Sequence, residues 1–384
     1  MWRSVCCAMQ GSGHKKSGVP CQDKTFRLDK NGVHVIVLSD GAGSARLSHF
    51  GAERVVRAAA ELVADRFAQY QECEDAEAVR QEMLSVLRYE LAEEAKKHSC
   101  EMHDLACTLL LAAVSEERFL LVHIGDGVIG YLDGDTLKVA SVPDNGEFAN
   151  ETTFVTSDKA AETMRLFKGE LRDKAAFVLM SDGTEHSLYH KPSRALADIL
   201  TDVIQRACLI RADVLQRQLA DTFASVVCPR TQDDCSIAIL TRPGKALRTA
   251  DQLSVEERRR LYHIQRARAH TARRIRRYDA MLVLLEQPHS LRQIAVKIHL
   301  NPRYTKQRLG QLEQLGLIEQ TNGWYQKRDR KQKACYMHAF CFVAVPAGRE
   351  LLLIVIITRG SHQPNRYCTS SAARQQILEN VIKL

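Results

Sequence analysis

The sequence predicts a layered α+β fold over residues 1–243, followed by a small helical module. Two observations carry the first part. Short apolar, β-branched runs at 34–39, 104–114, 118–124 and 176–181, with another inside 231–240, each have the length of one buried strand. Between them lie paired stretches, 51–69 with 75–98 and two more within 193–227, whose apolar residues recur at helical spacing. Strands and helix pairs that alternate in this way pack as layers. A third observation sets the limit: Arg242-Pro243-Gly244 is a strong breaker.

Taken in order, residues 3–9 form a first strand. GSGHKKSGVPCQD (11–23) is a loop, punctuated by Gly11, Gly13, Gly18 and Pro20. It sets His14, Lys15 and Lys16 side by side and ends at Asp23. Those cations are either a solvated turn or a hydrogen-bonding edge for a phosphate. The run 34–39 is a strand that stops at Asp40-Gly41. The next helix places Val55, Ala59, Leu62, Val63 and Phe67 on one face, and its partner buries Val79, Met83, Leu87 and Leu91. The strand at 118–124 leads to Asp126, and the strand at 176–181 leads to Asp182. YLDGDTLKV (131–139) is read as an ordinary hairpin turning at Asp133-Gly134. Residues 143–158 are a loop entering a strand. In TQDDCSIAIL the acidic pair Asp233-Asp234 precedes the strand.

With 384 residues, two domains are expected. The net charge of +8 is uneven, because the C-terminal part is arginine-rich. The 12 cysteines form no CxxC pair, which points to reduced thiols rather than a disulfide or zinc framework. MWRSVCCAMQ lacks the apolar core of a signal peptide, and the apolar run 351–357 is too short to span a bilayer. A soluble, cytoplasmic protein without a membrane partner is the expectation.

Asp23, Asp40, Asp126, Asp182 and Asp233 all stand at strand ends. Gathered in one cleft, they would repel one another and be driven toward protonation unless cations were present. Carboxylate, carbonyl and water ligands suit Mn²⁺ or Mg²⁺, and no His or Cys competes at these positions. Gly41 has no side chain to keep its carbonyl from joining such a shell. Two ions about 3.5–4 Å apart activate a water for attack on phosphorus without a side-chain nucleophile. There is no GxSxG elbow and no GxxxxGK[ST] loop.

The ordered set CQD (21–23), SDGAGSA (39–45), ACT (106–108), GDG (125–127), SDG (181–183) and DDCS (233–236) resembles the metal-dependent type 2C serine/threonine protein phosphatases, in a bacterial branch, over roughly residues 1–241. The resemblance implies a two-sheet β-sandwich flanked by helix pairs and a dinuclear Mn²⁺ or Mg²⁺ site. It casts Asp40 as the bridging ligand, the Gly41 carbonyl as a ligand of one metal, and Asp182 and Asp233 as ligands of the other. Asp23 would hold a metal-bound water, and Asp126 with Asp182 a third ion. Asp234 falls where many members have Asn. Three features depart from the pattern. The loop before the first aspartate lacks the phosphate-binding arginine, leaving His14 with Lys15 or Lys16 as substitutes. Ala42 stands where eukaryotic members carry a histidine, and GDG replaces GDSR.

Residues 244–277 read as a basic linker helix with Arg266, Arg268, Arg273, Arg274, Arg276 and Arg277. Residues 278–331 resemble a winged helix-turn-helix: a helix to 287, a second capped by Ser290, a third opened by Asn301-Pro302, and a hairpin turning at Asn322-Gly323. By that analogy Arg303, Lys306, Gln307 and Arg308 would enter a major groove, with Lys327, Arg328, Arg330 and Lys331 neutralising phosphates. Residues 332–384 carry no functional reading.

The function expected is hydrolysis of phosphomonoesters on a phosphorylated protein, opposing a cognate Ser/Thr kinase, with the winged helix directing the enzyme to a partner or to DNA. The alternative is a DNA-binding regulator with a weakly active or inactive phosphatase-like sensor.

Overall fold

The computed structural model describes residues 2–143, 152–243, 253–262, 264, 270–327, 340–347 and 350–357. They belong to two compact units, Met1–Arg328 and Asp329–Leu384.

In the first unit, β1 (Arg3–Met9) leads through a short helix α1 (Ser12–Ser17) to β2 (Lys24–Lys30) and β3 (Val33–Ser39). Two long helices follow, α2 (Ser48–Glu72) and α3 (Ala76–His98). Then come β4 (Leu109–Ser115), β5 (Arg118–Ile124) and the hairpin β6 (Val128–Asp133) with β7 (Thr136–Ser141). A turn of helix, α4 (Ala160–Thr163), precedes β8 (Arg165–Glu170) and β9 (Lys174–Met180). After α5 (Glu185–Leu188) and the small hairpin β10 (Tyr189–His190) with β11 (Ala195–Leu196), helices α6 (Ile199–Leu209) and α7 (Ala212–Thr222) lead to β12 (Cys235–Thr241).

Two five-stranded antiparallel sheets result, ordered β1-β12-β9-β6-β7 and β2-β3-β4-β5-β8. The central strands β3, β4, β9 and β12 are buried on both faces, and the alternation of side chains sorts the core. Ile36, Leu38, Leu110 and Ala112 meet Phe177, Leu179, Ala238 and Leu240 between the sheets. From the same strands, Val35, Val37, Leu109 and Leu111 face the other way onto α2 and α3. Val178, Met180, Ile237 and Ile239 pack outward with residues of α6 and α7. Burial on both sides explains why these strands read as continuous apolar runs.

Strands β2 and β8 were not expected, the strand read at 104–114 begins only at Leu109, and the helix Thr271–Leu284 starts inside the stretch read as a linker. Two stretches near the site differ further. The loop at 11–23 contains the helical turn α1, ended by Gly18 in the left-handed region at φ 73°. The turn is held by a long-range bond, Gly13 N–H to the Gln232 carbonyl at 2.9 Å, which local composition does not encode. No strand forms among the described residues of 152–158. That stretch is tied instead to α3, where Arg88 donates to the carbonyls of Val155 (3.2 Å) and Ser157 (2.6 Å). Asp133-Gly134 is a plain hairpin tip, with Asp133 paired to Lys138 at 2.6 Å.

Beyond β12 the unit continues with α8 (Val255–Leu261), α9 (Thr271–Leu284), β13 (His289–Ser290), α10 (Leu291–Lys297), α11 (Pro302–Gln314), β14 (Ile318–Thr321) and β15 (Trp324–Lys327). The sheet order is β13-β15-β14. Ser290 and Gln293 form a capping box on α10, and the Asn301 side chain caps α11. Ile275, Tyr278, Met281, Leu285, Leu309 and Leu312 share one continuous core with α7 and the outer face of the first sheet.

The second unit holds one antiparallel hairpin, β16 (Phe340–Ala347) with β17 (Glu350–Ile357). Residues 144–151, 244–252 and 265–269, with Arg266 and Arg268, lie outside the described residues. So do Arg328, Arg330, Lys331 and most of the tail. Among the described residues no helix is long and apolar enough to cross a membrane.

Candidate active site

Antiparallel pairing brings the strand ends together. Lys24 pairs with Ser39, so Asp23 and Asp40 lie side by side at one edge. Leu109 pairs with Ile124, which carries Asp126 to the same edge, and Ile237 pairs with Met180, which brings up Asp182 and Asp233. Asp40, Asp126, Asp182 and Asp233 line a single cleft of about 500 Å³, together with Gly41 and His14. Asp23 is buried, at 1% exposure. Lys15 is exposed and does not line the cleft.

Neighbouring side chains position several of these aspartates. Thr108 grips the Asp40 backbone from both sides, accepting its N–H at Oγ1 (2.8 Å) and donating its own N–H to the Asp40 carbonyl (2.8 Å). Ser181 donates its hydroxyl to Asp23 Oδ2 at 2.8 Å. Thr152 donates to Asp126 Oδ2 at 2.8 Å. Beneath the Gly125-Asp126 turn, the buried His123 bridges Ser141 Oγ (2.7 Å) and the Gly125 carbonyl (2.8 Å). Burial pushes its imidazole down to about 3, so it is neutral at physiological pH. Two glycines are demanded by close approach. A Cβ on Gly41 would meet Ser48 at 2.8 Å, and one on Gly183 would stand 1.8 Å from the Asp234 carbonyl oxygen.

Asp234 is a loop anchor. At 1% exposure, its two oxygens accept the backbone N–H groups of Gly11 and Gln22, each at 2.6 Å. His14 Nδ1 stands 3.0 Å from the same carboxylate without hydrogen-bond alignment. The carboxylate therefore clamps both ends of the loop that carries His14. Asp234→Asn is expected to keep only one of the two backbone bonds, because its amide NH₂ cannot accept. The loss should be about 1–3 kcal/mol in denaturant unfolding.

The electrostatics are those of crowded acids. Burial, offset in part by the hydrogen bond from Ser181, pushes Asp23 up to about 6. Burial, then Asp126, Asp233 and Asp23, raises Asp182 to about 7. Burial, followed by the charges of Asp23, Asp182, Asp233 and Asp126, holds Asp40 well above the usual carboxylate range, and Asp233 is raised chiefly by burial. Asp23 Oδ1 and Asp182 Oδ1 are buried without a hydrogen-bond partner. Such oxygens call for a cation.

As they stand, among the described residues, no three His, Cys, Asp or Glu side chains could hold one ion together. The donor set fits small hard cations that take one or two carboxylates each and complete their shells with water. The Gly41 carbonyl is a further oxygen donor at the cleft.

The sandwich and its carboxylate cleft have the form expected of a type 2C phosphatase. The family model described as Protein phosphatase 2C matches residues 10–224, more than half of the chain, and the chain belongs to that family. Serine/threonine-protein phosphatase 3 of Escherichia coli (strain K12) is 27% identical over 250 residues, covering 62% of this chain and 97% of that protein. Among solved structures, the serine/threonine phosphatase of S. agalactiae is 16% identical (TM-score 0.44; 63% of this chain, 99% of that one). The catalytic domain of the serine threonine protein phosphatase PstP, in complex with two manganese ions, is 17% identical (TM-score 0.44; 62% and 97%). The protein is a serine/threonine phosphatase of the 2C type.

Outside the cleft, Arg303, Lys306 and Gln307 are exposed on α11. Arg308 is turned inward, with its guanidinium 5.4 Å from the centre of the Tyr278 ring. Thr108, Thr152, Ser181 and His123 carried no assigned role in the sequence. Thr108, Ser181 and His123 are polar residues at the end of, or beside, an apolar strand, which is the one local signal that marks them, and Thr152 lies in a loop with no such signal.

Proposed function

We propose that the chain hydrolyses phosphomonoesters on proteins with Mn²⁺ or Mg²⁺ held by Asp40, Asp182, Asp233 and the Gly41 carbonyl, with Asp126 and Asp182 offering a further site. The observation that carries this is the convergence of four strand-end aspartates on one cleft, with two buried carboxylate oxygens left unpartnered. Ions bound there supply the Lewis acid that activates water for attack on phosphorus. Asp23, fixed by Ser181, orients water at the cleft floor. His14, at the cleft wall, orients the phosphate. Ala42 supplies no proton, so the leaving group takes its proton from solvent at the site.

Metal-dependent release of phosphate from p-nitrophenyl phosphate tests the reading, and equal turnover in excess chelator rejects it. Stability gives a second measure. Asp23 and Asp182 have folded pKa values raised above their unfolded ones. Their contribution to metal-free stability is therefore full below about 4 and is lost as pH rises through about 6–7. Cations replace those protons, so saturating Mn²⁺ should raise the melting temperature more at pH 8 than at pH 5. A rise of about 5–10 °C is expected at the higher pH.

We also propose that 278–331 is a winged helix, a reading supported, among its described residues, by the order helix, strand, two helices, two strands and by the exposed Arg303, Lys306 and Gln307 on α11. If it docks on duplex DNA, R303A with K306A should lower affinity and flatten its salt dependence by about two phosphate contacts. Tight duplex binding with no turnover in saturating Mn²⁺ would favour the sensor reading over the enzyme.

A further inference from the structure

A second concave site lies on the C-terminal module and shares no residue with the aspartate cleft. Arg273, Arg274, Arg277 and Arg308, with His270, line a pocket of about 340 Å³ with no carboxylate among the described residues that line it. Asp279, on the same helix as three of these arginines, is engaged elsewhere. It accepts from Arg258 Nη1 at 2.6 Å and from the Tyr262 hydroxyl at 2.7 Å.

The arginines are not simply a solvated face. The guanidiniums of Arg274 and Arg308 lie over the ring of Tyr278, 5.8 and 5.4 Å from its centre, and Tyr278 is itself 1% exposed. A buried ring thus supports two cations from different helices. The Nε atoms of Arg274 and Arg308 are buried with no hydrogen-bond partner among the described residues. Arg274 also donates from Nη2 to the Tyr278 hydroxyl and to Gln311 Oε1, each at 3.4 Å, and an entering anion would relieve four like charges gathered in one hollow.

We propose that this pocket binds a phosphomonoester dianion, presented either by a phosphorylated side chain of a polypeptide or as free phosphate. Guanidinium forks match phosphate oxygens in pairs, and a doubly charged group gains most from several of them. A nucleic-acid diester carries one charge per phosphate along a convex strand, which suits the exposed face of α11 better than a hollow. The site does not depend on catalysis at the cleft, so the two readings fail separately.

The test uses the full chain in excess chelator, so that no turnover occurs, with binding measured by titration calorimetry. The probes are orthophosphate, a phosphoserine peptide, its unphosphorylated form and a short DNA duplex. Orthophosphate or the phosphoserine peptide should bind, and Arg277→Gln and Arg274→Gln should each weaken that binding at least about tenfold. Arg277→Gln guards against a folding defect, because Arg274 leans on Tyr278. Phosphopeptide binding at least about tenfold tighter than orthophosphate assigns the pocket to a phosphorylated side chain, and comparable binding assigns it to free phosphate. The proposal is overturned if both variants bind these probes as tightly as the parent. It is equally overturned if the unphosphorylated peptide binds as well, or if only the duplex loses affinity in the variants.

Discussion

Asp40→Asn is expected to cut phosphate release by roughly a thousandfold, about 4 kcal/mol of barrier, while raising the melting temperature of the metal-free protein at pH 8. Both effects come from one charge. Asp40 lies at the centre of the cluster, raised by burial and then by Asp23, Asp182, Asp233 and Asp126. A neutral amide removes that repulsion and adds an N–H donor beside Asp23, whose Oδ1 is unpartnered. It cannot supply the negative oxygens needed beside two cations. Opposite signs for activity and stability are the mark of a residue kept for chemistry. Asp182→Asn should behave in the same way at smaller amplitude in stability. Turnover within tenfold of the parent, or a lower melting temperature at pH 8 without metal, would remove Asp40 from its proposed role.

Gly183→Ala should be nearly as damaging without changing any charge. The added carbon would stand 1.8 Å from the Asp234 carbonyl oxygen, which is backbone and cannot swing away. The turn after β9 must then part from the start of β12, carrying Asp182 away from Asp233. We expect about 3 kcal/mol of destabilisation and roughly a hundredfold loss of turnover, since small displacements of positioned groups are costly. Gly43→Ala is the control, because a Cβ there meets nothing within 4 Å. Equal behaviour of the two variants, by denaturant unfolding and phosphate release, would count against the close-packing account.

Asp40, Asp126, Asp182 and Asp233 were legible because each follows or precedes a run of apolar residues that can only be a buried strand, whereas Asp23 stood at the end of a loop. Asp133-Gly134 could be told apart for the same reason, since its return strand follows at once. The supporting residues were not legible. Asp234 acts on Gly11 and Gln22, 223 and 212 positions away, through backbone N–H groups that no side-chain pattern records. Thr108 acts on Asp40 across a sheet, again through backbone. The turn α1 was hidden because glycines that read as loop also permit a short helix once Gln232 anchors it. The arginines at 273–277 were visible as charge, but their meeting with Arg308 over Tyr278 required two helices to be placed.

Helices α9 and α11 do not hang from the phosphatase half as a tethered probe. Met281, Leu285 and Leu312 belong to the same apolar interior as Leu215 and Ile239, and Gly316 fits against the aliphatic stem of Arg211 so closely that a Cβ would come within 2.4 Å of it. A shared interior of this kind fixes the bearing of α9 and α11 on the outer face of the first sheet, as a bracket is fixed to a wall. That bearing is set at folding, and a chain cut after β12 would leave greasy surface bare on α7 and the outer face of the sheet.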